Sequence, residues 1–284
     1  MRRVTQESPC PICHKPDWCI VSDDGEMCVC NRVESERQAE MGWIHFLSDP
    51  IPPSEPRPPQ PKLPPEECKQ IVVNCFKRPE AERIRAELAE SLGVTVDALF
   101  SLGVGCGEDY NGKRWSSWPC RDAEGNFVGL TRRYLDGSKK TYPGTRAGLF
   151  YAAKWADMPG AVLIVEGGSD VAACLSHGIA AIGRPSNVGG SGMLAEMLAK
   201  HPRRPVLVVA ERDFKPERRG TVEHCPADCS GCANCWPGLY GAKVTAERLG
   251  IPQNFILPRQ GKDFREASAS GADFQWIKQL WSAT

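Results

Sequence analysis

Short apolar runs rich in β-branched residues alternate with helical patterns through the second half of the chain. The apolar runs, each short enough for a buried strand, are 162–165, 179–182, 206–210 and 254–258. The helical patterns between them lie at about 169–176, 191–200 and 241–249. This alternation predicts an α/β fold with a mostly parallel sheet and helices on both faces.

Acidic residues follow two of these predicted strands directly. Glu166 ends the first run, with Asp170 four residues on, and Glu211 and Asp213 follow the third. Because the carboxyl ends of parallel strands meet in one crevice, these side chains are expected to converge. Clustered carboxylates repel one another unless a hard cation lies between them, which favours a magnesium or manganese site. The alternative is two ordinary strands with solvated acidic loops.

The acidic motifs carry a resemblance to a known family. Glu166-Gly167 with Asp170 resembles the first motif of the Toprim domain, which bacterial-type DNA primases, topoisomerases and some nucleases share. The segment 211–213 is similar to its second motif, normally Asp-x-Asp, with Glu211 as a departure that keeps a carboxylate of longer reach. Lys262, followed by an aspartate, is similar to a Lys-Asp element of primase-type Toprim domains.

The resemblance implies roles for these residues. Glu211 and Asp213 would ligate magnesium, and Glu166 would be a further ligand or assist deprotonation of a 3′-hydroxyl, with Asp170 in support. Lys262 would contact nucleotide or nucleic acid.

Helical stripes and then strand patterns precede the Toprim-like region. Apolar positions from 66 to 92 predict packing helices, and Thr95 is a candidate cap for a short third helix through Phe100. Residues 101–155 are typical of antiparallel strands, with turns at 122–125 and 136–137.

The strand segment is basic and aromatic. Its basic candidates for binding phosphate are Arg114, Arg132, Arg133, Lys139 and Lys140. Its aromatic candidates for base stacking are Trp115, Trp118, Tyr134 and Tyr142. A solvated sheet face is the alternative. The run Arg-x-x-x-Asp-Gly-x-Lys at 132–139 resembles the segment before the Toprim domain in primases, which holds template and incoming nucleotide.

Two cysteine groups have metal-ligand spacing. The first, around a turn at 22–25, predicts a zinc ribbon held by Cys10, Cys13, Cys19 and Cys30, with Cys28 as a substitute for Cys19. The second predicts a zinc knuckle, with an iron–sulfur cluster as the rival, and consists of Cys225, Cys229, Cys232 and Cys235. A ribbon before a Toprim domain is similar to the order of modules in primases, where the ribbon reads template.

Four regions follow from these patterns. They are a zinc ribbon at 1–48, a proline-rich tether at 49–66, an α+β basic segment at 67–158, and a Toprim-like catalytic domain at 159–284 with a cysteine-rich insertion at 214–240. The 35 basic and 35 acidic residues cancel, so any nucleic-acid binding must come from local patches.

Composition narrows the cellular setting. No apolar run approaches membrane-spanning length and no signal-peptide core is present, so a cytoplasmic protein with no membrane partner is expected. Fourteen cysteines in a reducing compartment favour metal sites over disulfides.

The functional hypothesis is a primase-like nucleotidyltransferase that makes short RNA primers. It predicts single-stranded DNA, ribonucleoside triphosphates and a separately encoded helicase as partners, since the chain carries no Gly-x4-Gly-Lys-Ser/Thr loop. A Toprim nuclease and a non-catalytic DNA-binding replication accessory protein are the alternatives.

Overall fold

The computed structural model describes residues 1–39, 41–47, 62–220, 225–272 and 274. The chain divides into two compact units, Met1–Gln60 and Pro61–Thr284. Residues 49–61 of the proline-rich tether predicted at 49–66 lie outside the described residues, and its last two positions, Pro65 and Glu66, belong to the first helix.

The first unit contains a five-stranded antiparallel sheet. Its strands are β1 (Arg2–Arg3), β2 (Ile20–Val21), β3 (Met27–Cys30), β4 (Gln38–Ala39) and β5 (Gly42–Phe46). Their order is β1-β2-β3-β5-β4. The turn predicted at 22–25 joins β2 to β3, where the amide of Ser22 donates to the carbonyl of Met27 at 2.8 Å. The buried core of this unit consists largely of cysteines, which is too little apolar surface to stabilise it alone.

Three helices open the second unit. They are α1 (Pro65–Phe76), α2 (Ala81–Leu92) and α3 (Val96–Ser101). Thr95 caps α3 as predicted, because its side-chain oxygen accepts the amide of Ala98 at 3.2 Å. Gly93 ends α2 in the left-handed conformation, with a φ of 67°.

A four-stranded antiparallel sheet follows. Its strands are β6 (Gly105–Glu108), β7 (Arg114–Arg121), β8 (Phe127–Tyr134) and β9 (Lys139–Thr141), in that order across the sheet. Both predicted turns are present, since β7 pairs with β8 and β8 with β9.

The Toprim-like region is a parallel sheet of four strands. They are β10 (Val162–Glu166), β11 (Ala180–Arg184), β12 (Val206–Val209) and β13 (Phe255–Ile256), in the order β11-β10-β12-β13. The helices are α4 (Gly167–Ser176), α5 (Ser191–Ala199), α6 (Pro237–Arg248) and α7 (Phe264–Ala269). Alternate residues of the strands belong to two separate hydrophobic cores, so both faces of the parallel sheet are covered. The predicted α/β fold class is therefore confirmed.

The two sheets of the second unit are directly joined. Phe150, which follows the antiparallel sheet, exchanges two backbone hydrogen bonds of 2.9 and 2.7 Å with Gly183 of β11. This junction is next to the carboxyl ends of the parallel strands. Among the residues that the structure describes, no helix has the length and apolarity to cross a membrane.

Candidate active site and metal centres

A cleft of about 590 Å³ is lined by residues of both sheets of the second unit. From the parallel sheet and its helices come the carboxylates Glu166, Asp170, Glu211 and Asp263. From β8 and β9 come the basic residues Arg133, Lys139 and Lys140. Negative and positive side chains therefore share one cavity.

Three of the carboxylates form a compact group. One oxygen from each of Asp170, Glu211 and Asp263 lies within 4.8 Å of the other two. Asp170 is in the first turn of α4, Glu211 follows β12, and Asp263 caps α7 by accepting the amide of Glu266 at 2.8 Å. Three segments that are distant in sequence thus deliver their carboxylates to the carboxyl ends of the strands.

This acidic group is electrostatically unfavourable without a cation. Asp170 is only 3% exposed, and burial followed by the charge of Asp263 raises its pKa well above the ordinary range. Burial also raises the pKa of Glu166, and the neighbouring Glu211 carboxylate adds to that increase. Oxygen ligands that repel one another at this spacing fit a hard divalent cation.

Asp213 is oriented differently from the sequence expectation that it meets Glu166 and Glu211. Its Oδ1 accepts the amide of Gly238 at 2.9 Å, at the start of α6, and it does not belong to the compact group. It still lies close enough for its charge to raise the pKa of Glu166. Its assignment and that of Glu166 as metal ligands stay predictions.

Sequence reasoning missed Asp263 as a member of the acidic group. The available signals were the Lys-Asp element and the position of Asp263 just before a helical pattern, which is typical of a cap. Its neighbour Lys262 pairs with Glu211, with 3.0 Å between Nζ and Oε2, and this hydrogen bond raises the pKa of Lys262.

The basic residues of the cleft are held close to one another. Burial lowers the pKa of Lys139, and the charge of Arg133 lowers it further, while the carboxylates of Asp170, Glu166 and Glu211 oppose the change. Burial likewise lowers the pKa of Arg133. Neighbouring cations that repel each other gain from an anionic ligand, and a phosphate group supplies that charge.

Two predicted basic candidates lie elsewhere. Neither Arg114 nor Arg132 is among the residues that line the cleft. The guanidinium of Arg132 lies 6.0 Å from the ring centre of Trp115 and 5.7 Å from that of Tyr142. The alternation of a strand explains the difference, because Arg133 points to the face opposite that of Arg132.

The aromatic candidates for base stacking are largely packing residues. Trp115 and Tyr134 are buried in the core between α1 and the antiparallel sheet. Trp118 lines the cleft but is only 4% exposed.

The structure brings together the four cysteines favoured for the ribbon. The sulfurs of Cys10, Cys13, Cys19 and Cys30 lie within 4.8 Å of one another. Cys13 to Cys19 is 3.7 Å and Cys19 to Cys30 is 3.9 Å. A tetrahedral zinc with bonds of about 2.3 Å separates its sulfurs by about 3.8 Å. Cys28 is 3.6 Å from Cys10 but lies outside the group of four.

The second cysteine group is equally compact. The sulfurs of Cys225, Cys229, Cys232 and Cys235 lie within 4.8 Å of one another. Cys235 is 3.8 Å from Cys232 and 3.7 Å from Cys229, so this group also fits a tetrahedral metal.

Comparisons with known proteins agree with this architecture. No family model and no curated protein matches the sequence. The DnaG catalytic core is similar at a TM-score of 0.50 and 14% identity, covering 76% of this chain and 78% of that chain. The primase fragment of the bacteriophage T7 primase-helicase protein has a TM-score of 0.47 and 15% identity, covering 96% of this chain and 98% of its own. A DnaG primase catalytic domain bound to single-stranded DNA has a TM-score of 0.48 and 14% identity, covering 76% and 80%.

The similarity to the DnaG catalytic core shows a shared fold. The resemblance to Toprim-type primases inferred from the acidic motifs is therefore confirmed at the level of the fold.

Proposed function

We propose that this protein is a primase-like nucleotidyltransferase that makes short RNA primers on single-stranded DNA from ribonucleoside triphosphates. One observation carries the proposal. A group of three carboxylates (Asp170, Glu211 and Asp263) shares a single cleft with Arg133 and Lys139. Joining nucleotides requires a divalent cation and groups that neutralise a triphosphate, and this cleft offers residues for both. The fold shared with the DnaG catalytic core supports the assignment.

Magnesium or manganese would be held by Asp170, Glu211 and Asp263, with Glu166 and Asp213 as additional carboxylates nearby. A bound divalent ion supplies charge neutralisation at the phosphates and lowers the pKa of a coordinated hydroxyl. The fit rests on the donor set: oxygen ligands within 4.8 Å of one another, one of them a buried carboxylate.

The other residues of the cleft would position the reactants. Arg133, Lys139 and Lys140 would bind phosphate groups of the nucleotide or the template. Glu166 lines the cleft beside the acidic group, where its carboxylate would be a further metal ligand or would assist removal of the 3′-hydroxyl proton.

The regions would divide the work as the sequence predicts. The ribbon at 1–48 would hold template with a structural zinc, and the segments 67–158 and 159–284 would form the catalytic core. Unwinding of the duplex would come from a separately encoded helicase.

Primer synthesis on single-stranded DNA with magnesium and four ribonucleotides tests the proposal. The native chain should yield short oligoribonucleotides, and Asp263→Asn should abolish them. Asparagine still caps α7, so this change removes the charge while keeping the helix start. Glu196→Gln, at an exposed carboxylate of α5, is the matched control and should retain full activity.

Two results would contradict primer synthesis. Degradation of the DNA without any new strand would assign the cleft to a nuclease. DNA binding without synthesis or degradation would leave a non-catalytic replication accessory protein.

A further inference from the structure

The second cysteine group is attached directly to the acidic segment of the cleft. Residues 211–213 leave β12, the insertion follows, and Cys235 returns the chain to the start of α6. The amide of Lys215 donates to the carbonyl of Cys235 at 2.8 Å, which closes the insertion at its base. Through this hydrogen bond, Cys235 contacts Lys215, which lies two residues beyond Asp213.

Two residues just beyond Cys235 hold the acidic segment itself. The indole nitrogen of Trp236 donates to the carbonyl of Glu211 at 2.9 Å. The amide of Gly238 donates to Oδ1 of Asp213 at 2.9 Å. A Cβ at position 238 would lie 2.6 Å from the Cβ of Glu211, so only glycine permits this approach.

The four-cysteine group and a small number of hydrogen bonds hold the insertion together across the loop. Arg219 donates to the carbonyl of Cys229 at 2.6 Å, and Asn234 donates to the carbonyl of Arg218 at 2.9 Å. Before α6 begins at Pro237, the described part of the insertion contains one short 3-10 helix, at Pro216–Arg218. Ordering a long irregular loop costs conformational entropy, and a metal that binds four thiolates offsets this cost.

We infer that a zinc ion at Cys225, Cys229, Cys232 and Cys235 positions Glu211 and Asp213 for the divalent cation of the cleft, through Trp236 and Gly238. Zinc takes no part in the reaction. Its loss releases the turn at 235–238, and with it the backbone of the two acidic residues. This inference rests on the proposed function only in assigning the acidic group to a divalent cation.

The test measures binding of manganese to the acidic group by electron paramagnetic resonance, which needs no primer synthesis. Cys229→Ala combined with Cys232→Ala should remove one zinc per chain and weaken manganese binding about 10-fold or more, as loss of supporting contacts around a metal does. Asp263→Asn identifies the signal, since it should eliminate binding at this site.

A second variant guards against a general loss of structure. Trp236→Phe keeps all four cysteines and removes only the indole donor to Glu211. It should retain both zinc ions and weaken manganese binding by about 3- to 5-fold, the effect of one hydrogen bond. Replacing Cys10 and Cys13 by alanine is the control for zinc loss as such, because these cysteines belong to the first unit and the acidic group belongs to the second.

The outcomes separate this inference from the proposed function. Unchanged manganese affinity after loss of the second zinc, or equal weakening in the ribbon control, would overturn the positioning role. Zinc-dependent manganese binding in a chain that makes no primers would support the positioning role and contradict primer synthesis.

Discussion

Replacing Asp170 by asparagine should stabilise the protein in the absence of divalent cations. The side chain is 3% exposed and shares a space of 4.8 Å with the carboxylates of Glu211 and Asp263. Asparagine has nearly the same shape, and its oxygen can still accept the amide of Arg265, which lies 3.1 Å from Oδ1. The substitution therefore removes a charge and keeps the contact.

The magnitude follows from the spacing of the charges. Two unit charges 4.8 Å apart repel by about 3.5 kcal/mol at an effective dielectric constant of about 20. Lys262 lies 3.0 Å from Glu211 and Arg265 lies 3.7 Å from Asp263, so both neighbouring charges are partly offset. The charge of Asp263 still raises the pKa of Asp170 more than the charge of Glu211 does. Allowing for solvent in the open cleft, we expect a gain of about 1–3 kcal/mol, or a rise in Tm of roughly 3–8 °C.

The effect should depend on pH in a defined direction. The pKa of Asp170 is raised in the folded state. The protonated side chain therefore stabilises the native chain fully below the unfolded pKa, and this stabilisation is lost as pH rises through the folded pKa. The advantage of Asp170→Asn should therefore vanish below about pH 4, near the ordinary aspartate pKa, grow as pH rises above it, and become full only above the folded pKa.

Thermal unfolding without magnesium measures the repulsion between the carboxylates, and unfolding with magnesium measures the stabilisation by the bound cation. The buffer contains no chelator, so that zinc stays bound. At about 100 times its Kd, magnesium should stabilise the native chain by about 2.7 kcal/mol and should stabilise Asp170→Asn far less. Glu196→Gln should shift the unfolding free energy by no more than about 0.5 kcal/mol. If Asp170→Asn is less stable than the native chain without metal, or gains as much from magnesium, the assignment of a strained acidic metal site is wrong.

Three further predictions concern the other sites. Elemental analysis should find two zinc ions per chain, and one ion, none, or iron would contradict the assignment of both cysteine groups. Arg133→Ala should lower the salt dependence of binding to single-stranded DNA by about one unit in the slope of log K against log salt. Arg114→Ala, outside the cleft, should leave the slope unchanged. Equal slopes for both variants would contradict binding of the DNA phosphates by Arg133 in the cleft. In denaturant unfolding, Gly168→Ala should destabilise the fold by about 1–3 kcal/mol, because a Cβ there would lie 2.5 Å from Cε3 of Trp118. The control Gly192→Ala should be neutral or slightly stabilising, because a Cβ at position 192 would meet nothing within 4 Å.

Local signals accounted for most of the elements. Strand β8, Phe127–Tyr134, lies between the turns predicted at 122–125 and 136–137, because each turn joins it to a neighbouring antiparallel strand. The cap at Thr95 was also foreseen, since capping depends on atoms only three residues apart. Helix α6, by contrast, begins at Pro237 rather than near 241, with the proline at a first-turn position that needs no amide donor.

The α/β alternation, the carboxylates at the strand ends and the two groups of four cysteines follow from the order of residues alone. These features depend on short-range periodicity and on spacing within a few residues, which the order of residues states directly.

Which carboxylates meet depends on how the chain packs in three dimensions. Asp263 joins Asp170 and Glu211 although 93 residues separate it from the former and 52 from the latter, while Asp213, two residues from Glu211, turns to the amide of Gly238. Packing also places Arg133 rather than Arg132 at the cleft. The physical reason is that packing of the helices and strands sets which distant segments come within a few ångströms of each other, and which face of a strand is turned toward them.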